Sequence, residues 1–193
     1  MSTSAVAGTG SAQPVTQLAI GNFVSLQPNS LILVIGALLM LIYFVGAPMP
    51  NSSVEPLDYV LRQFFHADTL HLFSNLFALW RVTPLANSMS TIKFVQMLVF
   101  LTVFSAALLF VAHELFPSTK RTTVGFSGVL FGLIVVRNYL LGGSIGDIAL
   151  DVAIQILPNL LQPHISFIGH LTGALAGFAY LLLDGGIAKV TAD

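Results

Sequence analysis

The sequence predicts an all-α polytopic membrane protein with six membrane-spanning helices, and three observations carry that expectation. Of its 193 residues, 55% are hydrophobic and only 8% are charged, against about 25% charged in soluble domains. The mean hydropathy is +0.89. Such a chain cannot clothe a water-facing surface. Uncharged runs recur along it near the ~20 residues that a helix needs to cross ~30 Å of hydrocarbon. The polar residues inside these runs are not scattered, because they gather near the starts of alternate runs.

Taken in order, residues 1–30 carry no charged side chain. They lack the basic stretch of a secretory signal and the arginines of a mitochondrial presequence, and are expected to be a disordered tail. The first span runs from Leu31 to Ala47 and stops at Pro48-Met49-Pro50. Next comes a mixed segment with Glu55, Asp58, Arg62 and Asp68. Its Leu57, Val60, Leu61, Phe64 and Phe65 recur at helical spacing, which predicts an amphipathic piece lying in the membrane interface. Asn51-Ser52-Ser53 fits a glycosylation acceptor but abuts the end of the first span.

The second span is expected from Leu70 to Arg81, continuing toward Leu85, and the third from Phe94 to Val111. A hydroxyl-rich segment, 118–123, leads into a fourth span from Gly125 to Arg137. The fifth, Ile145 to Leu161, carries Asp147 and Asp151 in its first two turns; the sixth runs from Ile165 to Leu183. The expected organisation is thus a tail at 1–30, a membrane domain at 31–184 and a short C-terminal tail at 185–193.

Alternating crossings put the starts of the even-numbered spans on one face. There the second span holds His71, Ser74 and Asn75, the fourth Ser127 and the sixth His170. A polar group inside a bilayer is costly and marks a candidate site. His71 and Asn75, at i and i+4, share a helix face, and serve either as bundle glue or as donors to a developing oxyanion. Ser127 lies between glycines in Gly125-Phe126-Ser127-Gly128, in the first turn of its helix. Gly169, Gly173 and Gly177 make a smooth row on the sixth span, and Gly128 and Gly132 answer it on the fourth. Such rows let helices approach closely. That approach would bring His170 within the ~3 Å of Ser127 that a general base needs.

Asp147 and Asp151 start an odd span on the opposite face, so they cannot complete a triad and are expected to cap their helix and pair with Arg137. The chemistry would rest on a Ser-His dyad. His66, His113 and His164 fall in or beside expected loops without ligand spacing, so no metal is expected, and nothing in the sequence requires a cofactor. A net charge of −1 without a basic cluster gives no reason to expect nucleic acid. The absence of cysteine excludes disulfide and thiol chemistry.

His71-x-x-x-Asn75, Gly125-x-Ser127-Gly128 and His170-x-x-Gly173-x-x-x-Gly177, opening spans two, four and six, resemble the rhomboid intramembrane serine proteases over about Leu31 to Leu183. His66 also matches a histidine common in that family. The resemblance implies a six-helix rhomboid-like bundle with Ser127 as nucleophile and His170 as base. The oxyanion would be held by the Ser127 N–H with His71 and Asn75. It further implies single-span membrane proteins as substrates, cut near the end of their helix after a small residue. Substrate would enter beside the fifth span, where Pro158 and Pro163 would loosen the helix.

Two departures stand out: the first loop is short and lacks a Trp-Arg pair, and Gly169 replaces the usual alanine. Orientation is not set by charge, with Arg62, Lys120 and Arg121 on one face against Arg81, Lys93, Arg137 and Lys189 on the other. The resemblance implies a cytosolic N-terminus and an active site facing lumen or exterior; the missing presequence arginines speak against the mitochondrial inner membrane, and the sequence does not name which membrane holds the chain. The alternative is a catalytically inactive relative that binds membrane clients. A transporter would need ionisable residues near mid-membrane and paired broken helices, and only Asp151 comes close.

Overall fold

The computed structural model describes residues 29–48, 55–117, 123–156 and 166–184. Among these the chain is helical, without strands. The expectations for residues 1–28, for the Asn51 acceptor, for His164 and for Pro158 and Pro163 lie outside the described residues.

Helix α1 spans Ser30–Val45; the Asn29 side chain accepts from the N–H groups of Leu31 and Ile32, and Gly46 ends the helix at φ 66°. A left-handed glycine is the ordinary way to satisfy the last carbonyls. Helix α2 is Pro56–Leu61, continued by a 3-10 turn at Arg62–Phe64. Helix α3 is Thr69–Arg81, and Asp68 caps it by accepting from the His71 N–H. The expected continuation toward Leu85 is broken at Val82, and a separate short helix α4, Thr83–Asn87, follows with Pro84 in its first turn. Proline has no N–H to extend the preceding helix but fits a new one at that position.

Helix α5, Thr91–Leu115, is longer than the expected third span and holds 25 residues. It is the one helix among the described residues that is long and apolar enough to cross a membrane. α1, together with α6 (Ser127–Leu140) and α8 (Phe167–Leu183), is shorter but also apolar. α7 is Ile145–Ile156.

The closest-packed pair is α6 and α8, and α5 backs α8. Glycine rows explain the first contact. A Cβ on Gly128 would sit 3.3 Å from the Gly169 carbonyl oxygen, and one on Gly132 3.1 Å from that of Gly173. A Cβ on Gly177 would be 2.6 Å from the Gly132 oxygen, and one on Gly173 would run into the Gly128 carbonyl. The two backbones therefore touch along about two turns of α8. Around them Leu101, Val129, Leu133, Val135 and Ala176 are fully buried.

In the segment before α3, expected as an amphipathic piece, Arg62 and Gln63 are buried while Leu57 and Leu61 are exposed. The Gln63 carboxamide turns to α5, where Thr102 and Ser105 are buried opposite it. His113 is not in a loop but buried in the last turns of α5, within 3.1 Å of the Tyr59 hydroxyl. At the other end of the molecule Asp147 accepts from both the N–H and the hydroxyl of Ser144, while its own N–H donates to Ser144 Oγ. This reciprocal cap starts α7. Asp151 accepts from Asn138 Nδ2 at 2.8 Å, and Arg137 donates to Asn138 Oδ1 at 3.4 Å, so Asn138 links Arg137 to Asp151.

Candidate active site

Ser127 is the first residue of α6, preceded by a turn in which Gly125 takes φ 108°. Side chains rarely adopt that backbone, and there is no room for one: a Cβ on Gly125 would lie 2.5 Å from both Cε1 and Nε2 of His71. The Gly125 N–H donates to the Arg62 carbonyl at 3.2 Å. The turn is thus held between the 3-10 turn on one side and an imidazole on the other. Helix starts leave N–H groups without intrahelical partners and carry a positive dipole end. Ser127 places both a hydroxyl and such an N–H there.

His170 lies one turn into α8, whose start is capped by Ser166 Oγ accepting from the Gly169 N–H at 3.0 Å. Its Nε2 is 2.8 Å from Ser127 Oγ. The Phe131 ring stacks on the imidazole, with centroids 4.5 Å apart and planes 26° apart. Phe131 follows Ser127 by one helical turn, so the residue that holds the His170 ring plane is set by the position of the serine. The spacing could have shown it, but Phe131 lies in an apolar run without a polar marker. Thr123 donates to Ser166 Oγ at 3.1 Å, fastening the segment before Ser127 to the start of α8. Gly169 fits here because a Cβ would come 2.9 Å from the Thr123 methyl.

On α3 the His71 N–H is held by Asp68 at 2.7 Å, and a long 3.5 Å contact runs from the Ala67 N–H to Nδ1. A donor at Nδ1 leaves Nε2 to carry the proton, and Nε2 is the atom against Gly125. Asn75 is buried, its Nδ2 donating to the His71 carbonyl at 2.7 Å, and its Oδ1 has no partner among the described residues. Nδ2 keeps a second hydrogen. His66 stands edge-on to His71 with ring centroids 5.2 Å apart. Burial, followed by the neighbouring His71, lowers the His66 pKa to about 4. The structure therefore brings Ser127 and His170 into direct contact and sets His71 beside the serine's turn with Asn75 one turn along the same helix. Gly128, Gly132, Gly169, Gly173 and Gly177 all lie in the contact that joins the two halves of the dyad.

The rhomboid domain model matches residues 54–186, more than half of the chain. The chain belongs to the rhomboid family. A protein of Acanthamoeba polyphaga mimivirus named as a rhomboid protein is 38% identical over 146 residues, covering 76% of this chain and 85% of its own. Human rhomboid-related protein 4 is 32% identical over 137 residues, 63% of this chain and 44% of that protein. Rhomboid-like protein 15 of Arabidopsis thaliana is 30% identical over 138 residues, 60% of this chain and 34% of its own. The chain thus spans less than half the length of the human and plant relatives. The rhomboid family is membrane-embedded and its members are generally proteases.

Proposed function

We propose that this rhomboid is an active intramembrane serine endopeptidase that cleaves single-span membrane proteins within or near their transmembrane helix. The observation that carries the reading is the 2.8 Å contact between Ser127 Oγ and His170 Nε2 at the starts of two helices in backbone contact. With Nε2 unprotonated, the serine hydroxyl donates to it, and the imidazole takes that proton as Oγ attacks the scissile carbonyl. The oxyanion forms at the α6 start, where the Ser127 N–H, the Nε2–H of His71 and the second Nδ2 hydrogen of Asn75 serve as donors. Donors fixed away from bulk water supply about 3–4 kcal/mol each. His170 then protonates the leaving amine, and water, deprotonated by the same imidazole, releases the acyl group from Ser127. No carboxylate takes part as a third member, and Phe131 stacking orients the base instead.

In this reading α1, α3, α5, α6, α7 and α8 are the six crossings, with the dyad facing lumen or exterior. The 14 residues of α6 reach only ~21 Å as a helix, which puts Ser127 below the membrane surface in a cavity open to water. Labelling by a fluorophosphonate in membranes, together with cleavage of a single-span reporter, tests the reading. Both are expected in the wild type and in neither Ser127→Ala nor His170→Ala. Labelling that survives both substitutions, or a wild type that neither labels nor cleaves, would leave the inactive client-binding reading in its place.

A further inference from the structure

Gln63 is a buried carboxamide outside the dyad, in the 3-10 turn that follows α2. Its Nε2 donates to the Thr102 carbonyl at 2.8 Å and to the Tyr59 carbonyl at 3.3 Å, and its Oε1 accepts from Ser105 Oγ at 3.4 Å. Thr102 and Ser105 lie near the middle of the 25-residue α5, so the turn is pinned to the centre of the longest helix. A buried amide is costly unless satisfied. One satisfied by partners on two elements admits a single placement.

The main chain of the same turn carries the connection onward. The Arg62 carbonyl takes the Gly125 N–H at 3.2 Å, and the Phe64 ring leans on Phe126 with centroids 5.8 Å apart. Residues 125 and 126 are the turn that aims Ser127. A second fastener, the Tyr59 hydroxyl to His113 Nδ1 at 3.1 Å, already joins α2 to the end of α5. Holding the two elements together therefore does not explain why a carboxamide sits inside the turn.

We propose that Gln63 is a positioning residue for the nucleophile. It fixes the Arg62 carbonyl, which sets the Gly125 peptide and through it the direction of the Ser127 hydroxyl and N–H. The proposal rests on the protease reading and adds a residue to it. Misplacing a reacting group by about 1 Å costs on the order of 100-fold in rate, so a loosened turn is felt at the serine even when the fold survives.

The test uses the full chain in lipid nanodiscs and compares Gln63→Met, which keeps length but makes no such bonds, with Tyr59→Phe, which removes the other fastener. The expected result for Gln63→Met is a fluorophosphonate labelling rate lowered about ten-fold or more, with kcat on a reporter falling and KM held. Tyr59→Phe is expected to lower the unfolding temperature but keep the labelling rate within about two-fold of wild type. A Gln63→Met protein that labels as fast as a labelling wild type overturns the proposal alone, as does an equal loss of rate in Tyr59→Phe. A wild type that never labels overturns the protease reading and this one with it. Should Gln63→Met fail to fold, Ser105→Ala takes away the donor to Gln63 Oε1 together with a 3.4 Å contact to the Thr102 carbonyl on its own helix. It is then expected to slow labelling a few-fold at a temperature where the variant is still folded, and an unchanged rate overturns the proposal.

Discussion

At position 125 nothing larger than hydrogen fits. The backbone is at φ 108°, and the space a Cβ would take belongs to the His71 ring. Gly125→Ala is expected to destabilise the protein by about 1–3 kcal/mol from backbone strain. It should also lower reporter cleavage on the order of 100-fold, because relief comes by moving His71 or the serine's turn. Thermal unfolding and cleavage rates measured together check both halves. His66 gives a prediction with a sign. Its pKa falls from 6.5 in the unfolded chain to about 4 in the fold, so between those values the unfolded state binds more protons. Its contribution to stability is complete above pH 6.5, declines as the pH falls toward 4 and is flat below. Unfolding temperatures should drop over that window in the wild type and drop less in His66→Phe; parallel curves would contradict the assignment. Ser127 and His170 were legible at this scale because each is a polar residue in an apolar helix start. Phe131 was not, since an aromatic in an apolar run looks like any other core residue until the ring it stacks on is placed.

Among the elements, α6 and α8 decide the site, since the dyad exists only where their backbones touch. A methyl on Gly173 would collide with the Gly128 carbonyl, whereas one on Gly36 of α1 would meet the Leu76 side chain at an ordinary 3.5 Å. Gly173→Ala is therefore expected to cost about 1–3 kcal/mol through overpacking, and to lower fluorophosphonate labelling as His170 is pushed from Ser127. Gly36→Ala, gaining helix propensity of up to about 1 kcal/mol, should be neutral or stabilising and label normally. Equal effects at the two positions would show that the glycine rows are not the contact that matters. The rows themselves could be read from four-residue spacing, and so could the helix positions to within a few residues. The buried side of the α2 segment could not. Helical spacing of Leu57, Val60 and Leu61 predicts an amphipathic piece, and Leu57 and Leu61 are exposed, but spacing does not say what the opposite side meets. Gln63 meets Thr102 and Ser105 on α5, and a periodicity argument cannot see a partner about forty residues away.

Across the whole molecule, the position of the dyad follows from unequal helix lengths. At 1.5 Å per residue, α5 is ~37 Å long, α8 ~26 Å and α6 ~21 Å. Lys93 at the start of α5 pairs with Asp184 at the end of α8 at 3.1 Å, so these two ends are level. The starts of α6 and α8 then fall short of the far end of α5 by on the order of 10 Å, and in the protease reading a dyad at that depth needs its own water. The natural chain has no cysteine, so single-cysteine variants report one site each to a membrane-impermeant maleimide. Lys93→Cys and Glu114→Cys, at opposite ends of α5, are expected to label from opposite sides of a sealed vesicle. Ser127→Cys should label from the Glu114 side, more slowly, if the proposed cavity opens there. Val99 decides the solvent. It is 58% exposed on α5, so Val99→Cys would label freely if water bathed that face and should stay unlabelled until detergent is added if lipid does. Rapid labelling at Val99 in intact vesicles would remove α5 from the bilayer, and a dry Ser127→Cys would remove the water that the acyl-enzyme requires.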